Sequence, residues 1–155
     1  QAYNFGQELI KIPGLDGTGK MGKSEGNGIF LADPPSEIRK KVMKAVTDAG
    51  PEAPGTEPSE PVRNLFTIME VVSEPSTVEF FREKHAACEI RYGDMKKQLA
   101  EDIIKVTDPI RMRINEIIDD PDYLRKVVTM GAEKARASAA ATVRDVREII
   151  GYRPF

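Results

Sequence analysis

The spacing of glycines in residues 17–28 limits most strongly what this chain can fold into. The segment, named the lysine loop below, reads GTGKMGKSEGNG. It begins with a match to G-x-x-x-x-G-K-[ST], a pattern in which backbone N–H groups and a helix N-terminus hold phosphates. Such a helix would start at Lys23-Ser24, yet Gly26 and Gly28 fall in its first turns, and each interior glycine costs about 1 kcal/mol relative to alanine. The spacing therefore predicts a non-helical loop carrying two lysines.

The segments beside the lysine loop also argue against a P-loop. ELIKI (residues 8–12) is typical of a strand that Pro13 ends, and IFLAD (residues 29–33) is typical of a second short strand. Asp33 follows the loop too closely for the acidic residue of a P-loop enzyme, because a βαβ crossover takes about 10 or more residues. A P-loop nucleotide hydrolase stays open as an alternative.

Helical periodicity dominates from residue 33 onward. We expect a first helix capped by Asp33 and stopped by Gly50, and a short helix that starts with a Ser76–Glu79 capping box. The other expected helices cover residues 62–72, 94–118 and 121–150, and a proline-rich connection covers residues 51–61. Apolar residues form a stripe on one face of the 62–72 helix, which includes Leu65 and Met69, and another on the 121–150 helix, which includes Leu124, Val128 and Val146. The predicted fold is mainly α, an antiparallel helical bundle preceded by a remnant of α/β structure.

Composition excludes several functions. The net charge of −2 indicates no general affinity for nucleic acid, and no apolar run is long enough to cross a membrane. One histidine (His85, expected at the surface) and one cysteine (Cys88, expected in packing) do not form a metal-ligand set, so no metal site is predicted. A single cysteine cannot form an internal disulfide, which favours a cytoplasmic setting.

Lys20-Met21-Gly22-Lys23-Ser24 resembles the KMSKS signature of class I aminoacyl-tRNA synthetases, with Gly22 where serine is usual. Glycine also occurs there in some relatives, notably tyrosyl enzymes. The resemblance implies that all five residues bind ATP and that Lys20, Lys23 and Ser24 are catalytic. The chemistry agrees with this reading, because two ammonium groups on a glycine-flanked loop can stabilise charge on departing pyrophosphate. The alternative is a solvated, basic surface loop with no catalytic role.

Longer segments resemble the bacterial tryptophanyl-tRNA synthetases in the order of that family. They are DPPSEIRKKVMKAVTD, VRNLFTIMEV, RYGDMKKQLAEDI with DPIRMRI, and GAEKARASAAATVRDVREIIGY. The resemblance implies the C-terminal portion of a tryptophan–tRNA ligase. Residues 1–32 would end a Rossmann-type catalytic domain, and residues 33–155 would form an α-helical tRNA-binding domain.

That resemblance also implies the parent enzyme's partners. They are ATP with Mg²⁺, tRNA(Trp), tryptophan and a second subunit in a homodimer. The tryptophan pocket and most dimer contacts would lie in the N-terminal half, so this fragment alone is predicted to be inactive. A tyrosyl-tRNA synthetase fragment and a non-catalytic helical RNA-binding module are the remaining alternatives.

Arginines on the last predicted helix are candidates for tRNA contact. Arg125, Arg136 and Arg147 are spaced eleven residues apart, so they lie nearly in line, and Arg144 is close by. One interpretation is a face that binds RNA phosphates. The other is an ordinary solvated face, since Glu133 lies on the same side.

Overall fold

A computed structural model of the chain describes residues 11–152, which contain helices and no strand. The helices in that range are α1 (Pro35–Met43), α2 (Glu60–Val72), α3 (Pro75–Ala86), α4 (Tyr92–Ile118) and α5 (Pro121–Ile149). The mainly α prediction is confirmed. None of these helices has the length and hydropathy needed to cross a bilayer.

The first compact unit ends at Arg111 and holds a single apolar core. Apolar residues spaced three and four positions apart form this core, because residues at that spacing share one face of a helix. On α2 the predicted stripe is confirmed, with Leu65 and Met69 at most 1% exposed. The other large buried side chains include Ile38, Val42, Val62, Phe66, Val78, Phe81, Met95, Leu99 and Ile103.

The second compact unit runs from Met112 and contains the end of α4 together with α5. The predicted stripe of α5 is present in the sequence but is not buried: Leu124 is 38% exposed, Val128 68% and Val146 49%. Periodicity defines an apolar face, but burial requires a packing partner, which periodicity cannot supply.

Two predicted helix starts are also wrong. Pro34, not Asp33, is the N-cap of α1, and α3 starts at Pro75 with Glu74 as its N-cap and no side-chain cap bond. The Ser76–Glu79 capping box therefore does not form. In both helices a proline occupies the first turn, where a missing N–H removes no hydrogen bond, so these helices start without a side-chain cap.

The IFLAD segment forms a tight turn instead of the predicted strand. The Asp33 N–H donates to the Phe30 carbonyl over 3.0 Å, and the Phe30 N–H donates to Asp33 Oδ2 over 2.9 Å. This mutual bonding uses the backbone groups that a strand would pair with a neighbour. Most of the predicted strand at residues 8–12 lies outside the described residues, and Lys11 and Ile12 are not in a strand.

Asp48 fixes the proline-rich connection to the starts of two helices. Its carboxylate accepts hydrogen bonds from Tyr92 Oη (2.7 Å), from the Gly50 N–H (2.8 Å) and from Ser59 Oγ. His85 is only 3% exposed, against the prediction of a surface residue, with its ring centroid 6.5 Å from that of Tyr92. Cys88 is exposed rather than packed, in the left-handed region with φ of 58°.

Candidate functional site

The lysine loop is tied together by backbone hydrogen bonds close to both of its ends. The Met21 N–H donates to the Ile12 carbonyl over 3.0 Å, and the Leu15 N–H donates to the Asn27 carbonyl over 3.0 Å. Gly17 and Gly26 have φ of 82° and 69°, in the left-handed region that favours glycine. The segment is therefore a defined loop rather than an unstructured connection.

A buried asparagine lies at the centre of the loop. Asn27 is 5% exposed, and its Oδ1 accepts the Gly22 N–H over 2.9 Å. Its Nδ2 donates to the Lys20 carbonyl over 3.1 Å and to Asp16 Oδ2 over 3.0 Å. The carboxylate of Asp16 can only accept, which fixes the orientation of the amide. Asn27 therefore has no spare hydrogen-bonding group directed at solvent.

Asp16 is itself held by its neighbour in sequence. The Thr18 N–H and hydroxyl donate to Asp16 Oδ1 over 3.1 and 2.8 Å. These two bonds, with a smaller contribution from Asn27, lower the pKa of Asp16 below its ordinary value of 3.8. Asp16 is therefore a carboxylate at neutral pH and a permanent acceptor for Asn27.

Met21 and the glycines near it pack against each other. The Ile29 N–H approaches Met21 Sδ at 3.4 Å, and a Cβ added to Gly28 would lie 2.9 Å from Met21 Cγ. A Cβ at Gly22, where the signature has serine, would lie 2.7 Å from Glu25 Cγ. Met21 therefore anchors the loop, while Gly22 makes room for the Glu25 side chain.

The side chains that the sequence analysis predicts to be catalytic lie at the surface of the loop. Lys20, Lys23 and Ser24 are exposed, and residues 23–26 form a turn. Neither lysine forms a salt bridge with any residue in the range 11–152. The turn is not the start of a helix, because the first helix begins only at Pro35. The geometry of the loop therefore does not favour the P-loop alternative.

A second set of charges connects the segment that follows the lysine loop to α1. Lys41 Nζ lies 2.6 Å from Asp33 Oδ2 and 4.8 Å from the centroid of the Phe30 ring. Lys41 and Lys44 also border a cavity of about 250 Å³ whose other walls include Glu25 and Asn27. The loop therefore has a positively charged neighbour on α1, although Asp33 already pairs with one of these lysines.

The arginines of α5 belong to the second compact unit. Arg125, Arg136, Arg144 and Arg147 are all exposed, and the Arg147 guanidinium lies 5.4 Å from the Tyr152 ring centroid. Arg125 also borders a shallow groove with Asp122 and Glu133. The surface that these arginines form is accessible to a polyanion, and it carries acidic as well as basic side chains.

Asn27 is the residue of the site that the sequence analysis missed. The sequence offers only a weak signal, because an asparagine side chain can bond nearby backbone but its position between Gly26 and Gly28 does not identify the groups that it bonds. The described residues contain no group of three His, Cys, Asp or Glu side chains that could hold a metal ion.

Comparisons with known proteins agree with the loop's resemblance. The family described as "tRNA synthetases class I (W and Y)" matches residues 8–108. The chain is 55% identical to the tryptophan–tRNA ligase of Porphyromonas gingivalis over 99% of its length, and 34% identical to that of Deinococcus radiodurans over 96%. It covers 47% and 45% of those two proteins, so it spans about half the length of these relatives.

A solved structure agrees as well. The tryptophanyl-tRNA synthetase of Campylobacter jejuni, crystallised with ADP and tryptophan, superposes with a TM-score of 0.75 at 25% identity. The match covers 94% of this chain and 45% of that one.

Proposed function

Because the chain belongs to the class I tRNA synthetases of the tryptophan and tyrosine type, we propose that it is the C-terminal portion of a tryptophan–tRNA ligase. The parent enzyme activates tryptophan with ATP and transfers it to tRNA(Trp). This portion supplies the lysine loop and a helical tRNA-binding domain from residue 33 onward. The relatives at 55% and 34% identity, both tryptophan–tRNA ligases, support tryptophan over tyrosine.

The observation that carries the proposal is a pair of exposed lysines, Lys20 and Lys23, that form no salt bridge within residues 11–152 and lie on a loop whose backbone is held by the buried Asn27. In the activation step the carboxylate of the amino acid attacks the α-phosphorus of ATP, and pyrophosphate leaves. Negative charge grows on the bridging and leaving oxygens, where a positioned cation lowers the barrier. Lys20 and Lys23 supply those cations, Ser24 offers a hydroxyl donor, and Met21 and Gly22 shape the loop around the phosphates.

In this proposal Mg²⁺ binds together with ATP and not to side chains of this chain. A Mg²⁺ ion accompanies ATP in the parent enzyme and neutralises phosphate charge there. Residues 11–152 offer no set of acidic ligands for it, so we assign no metal ligand to this chain. The lysine loop acts on the polyphosphate itself.

The remaining partners and the setting are part of the same proposal. Tryptophan binds in the N-terminal half of the parent, which is a homodimer with most of its contacts in that half, and the parent acts in the cytoplasm.

The isolated 155-residue chain is expected to catalyse neither tryptophan-dependent ATP–pyrophosphate exchange nor ATP hydrolysis, because the lysine loop provides only part of the site. Radiolabelled exchange and phosphate-release assays check this. Steady ATP hydrolysis by the chain would support a P-loop hydrolase instead.

We further propose that the α5 arginines bind tRNA phosphates. Replacing all four, Arg125, Arg136, Arg144 and Arg147, with glutamine should weaken tRNA(Trp) binding at least about tenfold. It should also reduce the slope of log affinity against log salt concentration by about 0.7–0.9 for each lost phosphate contact. The measurement is a salt series of filter-binding or anisotropy titrations with the full-length enzyme.

The matched control removes the same number of positive charges from residues already paired with carboxylates. These are Arg82, Lys84, Lys97 and Arg113. The control should leave the salt slope unchanged to within about 0.5. Equal losses in both variants would mean that net charge alone attracts the RNA, and the α5 face would lose its assignment.

A non-catalytic RNA-binding module is the second candidate, favoured only by the basic residues of α5. It predicts tight tRNA binding and no effect of Lys20 or Lys23 substitutions on amino-acid activation. Exchange assays with the full-length enzyme separate the two candidates.

A further inference from the structure

Lys20 and Lys23 are on a glycine-rich segment, yet their backbone has a defined path. Lys20 and Gly22 use a carbonyl and an N–H, respectively, to bond the same side chain, that of Asn27, over 3.1 and 2.9 Å. Lys20 carries the first ammonium, and Gly22 directly precedes the residue that carries the second. One buried amide therefore holds both lysine-bearing positions of the loop.

We propose that Asn27 is a positioning residue for amino-acid activation: it acts through the backbone of Lys20 and Gly22 to hold the two ammonium groups where pyrophosphate departs. This rests on the proposed function of the lysines. Asn27 is 5% exposed, and its amide bonds only to other parts of the loop, so the proposed role requires no contact with ATP. Small displacements of a catalytic group are costly, because charge stabilisation depends on position fixed before the reaction.

The surroundings of Asn27 are built to hold that amide in one orientation. Asp16 accepts its second N–H over 3.0 Å, and Asp16 is in turn held by Thr18. Gly14 packs directly on the amide: a Cβ there would lie 2.4 Å from Asn27 Nδ2 and 2.6 Å from Asp16 Oδ1. Only glycine leaves room for this arrangement, so Gly14 offers a second, independent way to disturb it.

The test is a double-mutant cycle in the full-length enzyme, with the rate of tryptophanyl-adenylate formation as the readout. Asn27→Ala should slow this step about 10- to 100-fold in the otherwise unchanged enzyme. In the Lys20→Ala/Lys23→Ala background, the same substitution should cost less than about twofold, because the groups that it positions are gone. Gly14→Ala should behave in the same way.

Two control variants accompany the cycle. Asn115→Ala removes an exposed amide from α4, and Gly93→Ala adds a Cβ with nothing within 4 Å. Both should leave the rate within about twofold of the unchanged enzyme. These controls show whether any asparagine or glycine replacement slows the step.

The outcomes separate the two proposals. If the lysine substitutions do not slow activation, the proposed function fails and the role of Asn27 fails with it. Suppose that the lysine substitutions do slow activation. If Asn27→Ala then leaves the rate unchanged, or slows the lysine double variant by the same factor as it slows the unchanged enzyme, only the positioning role is overturned. In the second case Asn27 would support the fold without holding the lysines.

Discussion

Replacing Lys23 with alanine in the full-length enzyme should slow tryptophan-dependent ATP–pyrophosphate exchange about 10²–10³-fold, the usual loss when one transition-state donor is removed. The physical reason is that Lys23 is exposed on a turn with no carboxylate partner among residues 11–152. Its ammonium is therefore free to pair with the phosphates as charge grows on the leaving oxygens. Binding of tryptophan alone should not change, since we propose that its pocket lies in the N-terminal half of the parent.

The control for this prediction is Lys97→Ala, which removes another exposed lysine, one that lies 3.5 Å from Asp94 on α4. Exchange by this variant should stay within about twofold of the unchanged enzyme. An equally slow Lys97→Ala variant would point to general destabilisation. An unchanged rate in Lys23→Ala would remove this lysine from the activation step.

Replacing Asp48 with alanine should lower the free energy of unfolding of the chain by about 2–4 kcal/mol. The substitution leaves the Tyr92 and Ser59 hydroxyls and the Gly50 N–H without their shared acceptor. Gly50 directly precedes the proline-rich connection, Ser59 is the N-cap of α2 and Tyr92 is the first residue of α4, so the loss loosens the path between α1 and the starts of α2 and α4. Urea unfolding monitored by circular dichroism at pH 7 measures the change, with Asp145→Ala on α5 as an exposed control.

The free energy of unfolding should also depend on pH through the Asp48 carboxylate. Burial alone would raise the pKa of Asp48, but the hydrogen bonds from Ser59, Tyr92 and Gly50 outweigh it and hold the pKa below its ordinary value of 3.8. The unfolded chain therefore takes up the proton first as the pH falls. The contribution of Asp48 is complete above about pH 3.8 and is lost as the pH falls through the lower, folded-state pKa. Asp48→Asn should flatten this part of the stability–pH curve, and an unchanged curve would contradict the assignment.

Local patterns in the sequence predict those parts of the fold that local rules determine. The stripe on α2 is buried as expected, because three- and four-residue spacing is enough to define one face of a helix. The non-helical lysine loop is likewise predictable, since Gly26 and Gly28 disfavour a helix wherever the chain packs. The KMSKS resemblance depends on five adjacent residues and needs no tertiary information.

Features that depend on distant partners could not be predicted in this way. Asp33 is a good N-cap in isolation, but it forms an ion pair with Lys41 and accepts the Phe30 N–H. His85 is polar and near a helix end, yet neighbouring aromatic rings enclose it. Asn27 becomes important only when the loop folds back to bring Asp16 and Lys20 to it. The environment of each of these residues depends on contacts with other segments, which the spacing of residues along one element does not show.

The central claim is that two loop lysines stabilise the departing pyrophosphate in the transition state of activation. The most direct measurement is the single-turnover rate in both directions, adenylate formation from ATP and pyrophosphorolysis of the preformed adenylate, in the full-length enzyme and in Lys20→Ala/Lys23→Ala. Groups that act only in the transition state affect both directions alike, so both rates should fall by the same factor, at least about 10²-fold. Unchanged rates in both directions, with only transfer to tRNA impaired, would contradict the claim.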